Sequence, residues 1–76
     1  MNVKLIEIFS DIYDLKPSEV TLDLDIASVP AWDSMNNLRF VTAVEEEFGI
    51  ELSMEEIQEM TTMSAITEIL AAKGVT

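Results

Sequence analysis

The residue best placed to do chemistry is a serine that follows an aspartate, in the stretch Trp32-Asp33-Ser34-Met35-Asn36-Asn37-Leu38. Asp33 reads as a helix N-cap: its carboxylate can accept the free N–H groups of a first turn, and its charge suits the positive end of the helix dipole. Ser34 then falls on that first turn, exposed, at the end of a long loop. A phosphate ester on its oxygen would lie where backbone N–H groups favour negative charge. Nothing in the chain can activate the hydroxyl, because there is no His, and Lys4, Lys16 and Lys73 are remote in sequence. The expectation is a serine that another enzyme modifies. The competing reading is an ordinary helix-start serine, which an isolated Asp-Ser pair would favour.

Two apolar residues lie close by. Met35 and Leu38 fall on a different side of the helix from Phe40, Val41, Val44 and Phe48, which form its core stripe. They suggest a docking patch, and a flexible Met suits a surface that meets several partners. The alternative is contact with the preceding loop through Trp32. Glu45-Glu46-Glu47 is a second anomaly. Three carboxylates in a last turn oppose the dipole and one another, so they read either as recognition by basic partners or as a solvated helix end. Other motifs fail. Asp23-x-Asp25 begins like a calcium loop, but Ala27, Ser28 and Ser34 stand at the fifth, sixth and twelfth positions. Gly49 and Gly74 are too far apart to cradle a phosphate, and no metal site is expected.

Composition narrows the class. Seventy-six residues make one domain, 1–76, with room for one small core. A hydrophobic share of 49% is too high for a disordered chain, despite a net charge of −11. That charge repels nucleic acid and anionic membranes and favours partners that present Lys and Arg, although acidity also simply keeps a small protein soluble. The chain has no Cys and no His, which excludes a disulfide scaffold, Cys/His zinc sites and imidazole catalysis. Acids interrupt the N-terminal segment too early for a signal-peptide core, and no apolar run approaches membrane-spanning length, so a cytoplasmic protein is expected.

The elements that must position Ser34 can be read from periodicity. Leu5, Ile8, Phe9 and Ile12 predict a first helix from about Val3 to Leu15, widened by Val3, Ile6 and Tyr13 and ended by Lys16-Pro17-Ser18. Leu22, Leu24 and Ile26 alternate with polar residues, but a lone strand would have no partner. The better account is an extended loop from Val20 to Trp32 that lays Leu24 and Ile26 into the core. Asp33 opens a second helix to about Phe48, with Gly49 as its stop. Ser53-Met54-Glu55-Glu56 reads as a capping box for a short helix from Met54 to Met60, with Ile57 and Met60 inward. Thr61-Thr62 breaks it, and a last helix from Ser64 to Lys73 buries Ile66, Ile69 and Leu70 before Gly74. The fold class is all-α: a bundle of three main helices plus one short one, with a long loop between helices 1 and 2.

The whole chain resembles the acyl carrier protein family, which includes the related peptidyl carriers. Trp32-Asp33-Ser34-Met35 stands where that family has Asp-Ser-Leu, and Val44-Glu45-Glu46-Glu47-Phe48-Gly49-Ile50-Glu51-Leu52 is close to its acidic second-helix end. The short helix, the Thr61-Thr62-Met63 turn and the apolar last helix follow in the family's order. The resemblance implies that Ser34 carries a covalent 4′-phosphopantetheine arm from coenzyme A, with Asp33 the neighbouring acid used in transfer. Met35 would face the modifying phosphopantetheinyl transferase. Partner enzymes that load and process acyl groups would dock basic surfaces on Met35, Leu38, Arg39, Glu45 and Glu46, and the carrier would be a monomer. An acyl chain would shelter between the second and last helices, against Ile26, Val44, Leu52, Ile57, Met60, Ile66 and Ile69. These residues also have ordinary packing roles, and flexible Met60 and Met63 would help the core expand.

One departure qualifies the resemblance. Fatty-acid-type carriers usually have acids early in the second helix, where Asn36, Asn37 and Arg39 stand, and Trp32 is unusual before Asp-Ser. Partners selected for a uniformly acidic helix should bind less well. The expected function is therefore an acyl carrier without catalysis of its own, in fatty-acid, polyketide or related specialised biosynthesis. An aminoacyl or peptidyl carrier is the alternative within the class, and an unmodified acidic interaction module the alternative outside it.

Overall fold

Asn2 starts the first helix by accepting the Leu5 N–H on its side-chain oxygen at 3.1 Å. In the computed structural model, which describes residues 1–76, that helix (α1) spans Val3–Tyr13. It is followed by α2 at Ser34–Phe48, α3 at Met54–Glu59 and α4 at Met63–Ala72. The chain is thus all-helical, with three main helices and a short one. None is long and apolar enough to cross a membrane.

Leu5, Phe9 and Tyr13 recur every fourth residue on α1 and are all buried. Their rings meet α2 directly: Phe9 and Phe40 pack edge to face at 5.3 Å, and Tyr13 lies 4.6 Å from Phe9. The helix stops earlier than Leu15. Asp14 adopts left-handed torsions (φ 54°), and its N–H bonds the Ser10 carbonyl, so the chain has turned before Pro17 is reached. Pro17–Glu19 then forms one 3-10 turn.

The alternating segment 22–26 makes no strand, as expected. Its backbone is fastened elsewhere, to the junction between α3 and α4. Ile26 N–H bonds the Thr61 carbonyl at 3.0 Å, and the Leu22 and Leu24 carbonyls accept from Ser64 and Met63. Ile26 is buried and Leu24 half-buried, while Leu22 stays 51% exposed. The loop also buries Val20 and Val29, two core residues that periodicity could not assign because each stands alone between polar or turn residues.

On α2, Phe40, Val41 and Val44 are buried, Phe48 is half-buried, and Gly49 ends the helix at φ 64°. A side chain there would be strained in the left-handed region. Ser53 and Glu56 make the reciprocal capping box of α3, with both bonds at 2.9–3.1 Å. Thr62 caps α4 through its hydroxyl, so α4 begins at Met63 and not Ser64. Likewise α3 ends at Glu59, and Met60 turns inward as its C-cap. Met63, Ile66 and Leu70 seal the last face of the core, while Ile69 is half-buried.

Candidate functional site

Asp33 is extended (φ −154°, ψ 172°), and its Oδ1 accepts the Asn36 N–H at 2.7 Å. That is the expected cap. It leaves Ser34 as the first helical residue, exposed, with its hydroxyl in no hydrogen bond within the chain. The N–H groups of Ser34 and Met35 lack intrahelical acceptors, as any helix start requires. Loop and helix are held together from below: Asn36 Nδ2 donates to the Ala31 carbonyl at 2.9 Å, and Trp32 N–H bonds the Val29 carbonyl at 2.9 Å. The serine therefore sits on a fixed platform with its oxygen facing solvent. A phosphate ester on Oγ fits this arrangement, because free N–H groups and the dipole lie beside it and no packed atom must move.

Met35 is 73% exposed and Leu38 64%, so the loop beside Trp32 covers neither. Both stand on the face of α2 that carries Ser34. Arg39 is exposed too, and its one side-chain hydrogen bond is a long 3.5 Å bond to Asn36 Oδ1. Glu46 is exposed, but Glu45 is not free: its carboxylate accepts the Leu52 N–H at 2.9 Å and ties the α2–α3 loop to the helix. Its place in the acidic run is therefore partly structural, a role that spacing along the sequence could not reveal.

Tyr13, which periodicity places on the apolar face of α1, is 2% exposed, and its hydroxyl has no partner in the protein. Burial, and then the charge of Asp33, push its pKa up from 10.0 to about 12. The fold thus favours neutral Tyr13. That preference stabilises the protein fully below pH 10 and disappears as pH rises through about 12. Two units correspond to about 3 kcal/mol. Tyr13→Phe is therefore expected to be neutral or slightly stabilising at neutral pH, since it removes an unsatisfied buried group, and to abolish this alkaline loss. Urea unfolding of both proteins across the window measures the difference.

A model of the family described as a phosphopantetheine attachment site matches residues 3–70. The chain belongs to the phosphopantetheine-binding carrier family. The polyketide-8 synthase acyl carrier protein 2 of Streptomyces avermitilis is 31% identical over 70 residues, covering 92% of this chain and 80% of the relative. The acyl carrier protein of Coprothermobacter proteolyticus is 27% identical over 67 residues, 88% of this chain and 82% of its own. A 3-methylorcinaldehyde synthase of Talaromyces stipitatus is 33% identical over 61 residues; these are 80% of this chain but only 2% of the synthase's length. The group that this family holds covalently is 4′-phosphopantetheine.

In this carrier the seven aliphatic residues expected to wall an acyl cavity do not share one. Val44 and Ile66 are sealed at 0% and 1% exposure, and Ile69 lines no cleft. Leu52 borders a shallow acidic depression with Glu45, Glu46 and Glu51. Only Ile26, Ile57 and Met60 come together, in a cleft of about 240 Å³ whose rim includes Trp32 and Asn37, beside the start of α2. Val44, Met63 and Ile66 are all buried in the one core cluster and line no cleft, so no open space for a chain lies beside them. A second apolar cleft, between Met1, Leu5 and Leu70, holds none of the candidate residues.

Proposed function

We propose that this chain, as one carrier unit over residues 1–76, receives a 4′-phosphopantetheine arm on Ser34 and carries acyl intermediates on it as thioesters. The observation that carries the reading is the Ser34 hydroxyl: exposed and unbonded, on the first residue of a capped helix, in a chain of a carrier family. Ser34 Oγ would form the new bond to phosphorus while the nucleotide half of coenzyme A leaves with the electron pair. The carrier has no His or Cys to take the serine proton, so that proton would leave to a base of the docked transferase or to the neighbouring Asp33 carboxylate. Asp33 holds the helix start rigid for that encounter.

The role is delivery, not catalysis. Tethering replaces diffusion of a free thioester with an effective concentration on the order of millimolar at each enzyme in reach. The relatives in Streptomyces avermitilis and Coprothermobacter proteolyticus favour acyl cargo, in polyketide or fatty-acid synthesis, over an aminoacyl or peptidyl group. We place its work in the cytoplasm, as a monomer among loading and processing enzymes. A chain that sheltered inside would enter at Ile26, Ile57 and Met60 and would have to push open the sealed core beyond them.

The test is direct. Incubation with coenzyme A and a broad-specificity phosphopantetheinyl transferase should raise the intact mass by one arm. No gain with several transferases would contradict the carrier reading and favour an unmodified acidic interaction module.

A further inference from the structure

The exposed face of α2 is electrically divided, and its cation is unspent. In a protein of net charge −11, with 15 acids and 4 Lys or Arg, a free guanidinium on the working face is unexpected. Of the other three cations, Lys4 and Lys73 are paired with Glu7 and Glu56, and Lys16, which is in no ion pair, lies off α2, just past the end of the first helix. Arg39 has no carboxylate within 4 Å; its one side-chain hydrogen bond is the weak one to Asn36. It shares a shallow groove with Leu38, Thr42, Ala43 and Glu46. Glu46 lies two turns further along, roughly 10 Å away at 1.5 Å per residue. The pattern from Ser34 onward is thus an apolar pair, a cation, a neutral turn and then an anion.

We propose that Arg39 is a specificity-determining residue, and that the enzymes acting at Ser34 present a carboxylate to it. That carboxylate sits about two helical turns from the base that meets Glu46, beside an apolar pocket for Met35 and Leu38. The inference rests on the carrier reading, since only an enzyme serving Ser34 must cover this face. Charge complementarity favours such a partner over one with a uniformly basic surface, which Glu46 would attract and Arg39 would repel. A like charge opposite Arg39 works chiefly by slowing encounter and weakening the complex, without touching the reacting atoms.

The experiment uses a phosphopantetheinyl transferase with a basic docking surface, and the same enzyme with the Lys or Arg facing Arg39 reversed to Glu. Loading of wild-type carrier and of Arg39→Glu is followed by intact mass. With the basic enzyme, Arg39→Glu should raise kcat/KM about tenfold, through KM and not kcat, and the gain should shrink as salt is added. With the reversed enzyme the order should invert, wild type being the better substrate. Circular dichroism checks that both carriers are folded, as an exposed substitution should leave them. If both carriers load but neither enzyme discriminates between them by more than about twofold, or if the basic enzyme prefers wild type, the proposal is overturned while the carrier reading survives. If neither carrier loads at all, the carrier reading fails, and this inference fails with it.

Discussion

Ser34→Ala is expected to abolish loading of the arm completely while leaving stability within about 0.5 kcal/mol of wild type. The two halves of that expectation come from the same geometry. Ser34 Oγ bonds nothing in the chain and faces solvent, and the capping of α2 is done by the neighbouring Asp33 at 2.7 Å. Removing the oxygen therefore costs no packing and no internal hydrogen bond, and Ala is a good residue for a helical first turn. Asp33→Ala would be a poorer control, because losing the cap costs about 1 kcal/mol in itself. Intact mass after incubation with coenzyme A and a transferase reads the chemistry, and urea unfolding reads the fold. A stable, folded Ser34→Ala protein that still gained an arm would show that another residue accepts it.

The largest effect on stability should come from Phe9→Ala. Phe9 is 0% exposed and touches the rings of both Tyr13 and Phe40, so it joins α1 to the helix that presents Ser34. Deleting a buried phenyl ring costs about 3–5 kcal/mol, part transfer energy and part cavity. A domain of this size has only about 4–11 kcal/mol to lose. The variant should therefore unfold at a far lower urea concentration. Leu38→Ala, on the exposed face of α2, supplies the contrast and should change stability by less than about 0.5 kcal/mol. A shift for Phe9→Ala below about 1 kcal/mol would mean that the aromatic cluster does not hold α1 in place.

Much of this arrangement was legible in the residues, because the local signals are strong and agree with one another. Asp33 before an apolar-periodic run fixed the start of α2, and Ser53 with Glu56 fixed the start of α3; both caps form as read. The boundaries that moved did so for backbone reasons. Asp14 takes a left-handed conformation that its sequence neighbours do not advertise, and the Thr62 hydroxyl caps α4 so that the helix begins one residue before Ser64. What a one-dimensional pattern cannot carry is which side chains a loop folds inward. Val20 and Val29 are core residues without any periodicity to betray them, and although Tyr13 falls on the apolar face of α1 as read, nothing in the pattern shows that its hydroxyl would be enclosed without a partner.

The site divides in the same way. The exposure of Ser34, Met35 and Leu38 follows from where Asp33 starts the helix and which stripe faces α1, so the residues themselves foretell it. The closed state of the interior does not follow. Val44 and Ile66 have the right chemistry for an acyl wall, but whether they enclose a space or fill it depends on volumes contributed by four separate segments. Glu45 likewise looks like its two acidic neighbours until the loop returns to place the Leu52 N–H against it.

The most direct test of the whole account is to find where the arm is attached. Fragmentation mass spectrometry of the loaded protein should place the added phosphopantetheine on Ser34 alone. An adduct on Ser18, Ser28, Ser53 or Ser64 instead, or no adduct under conditions that load another carrier, would contradict it.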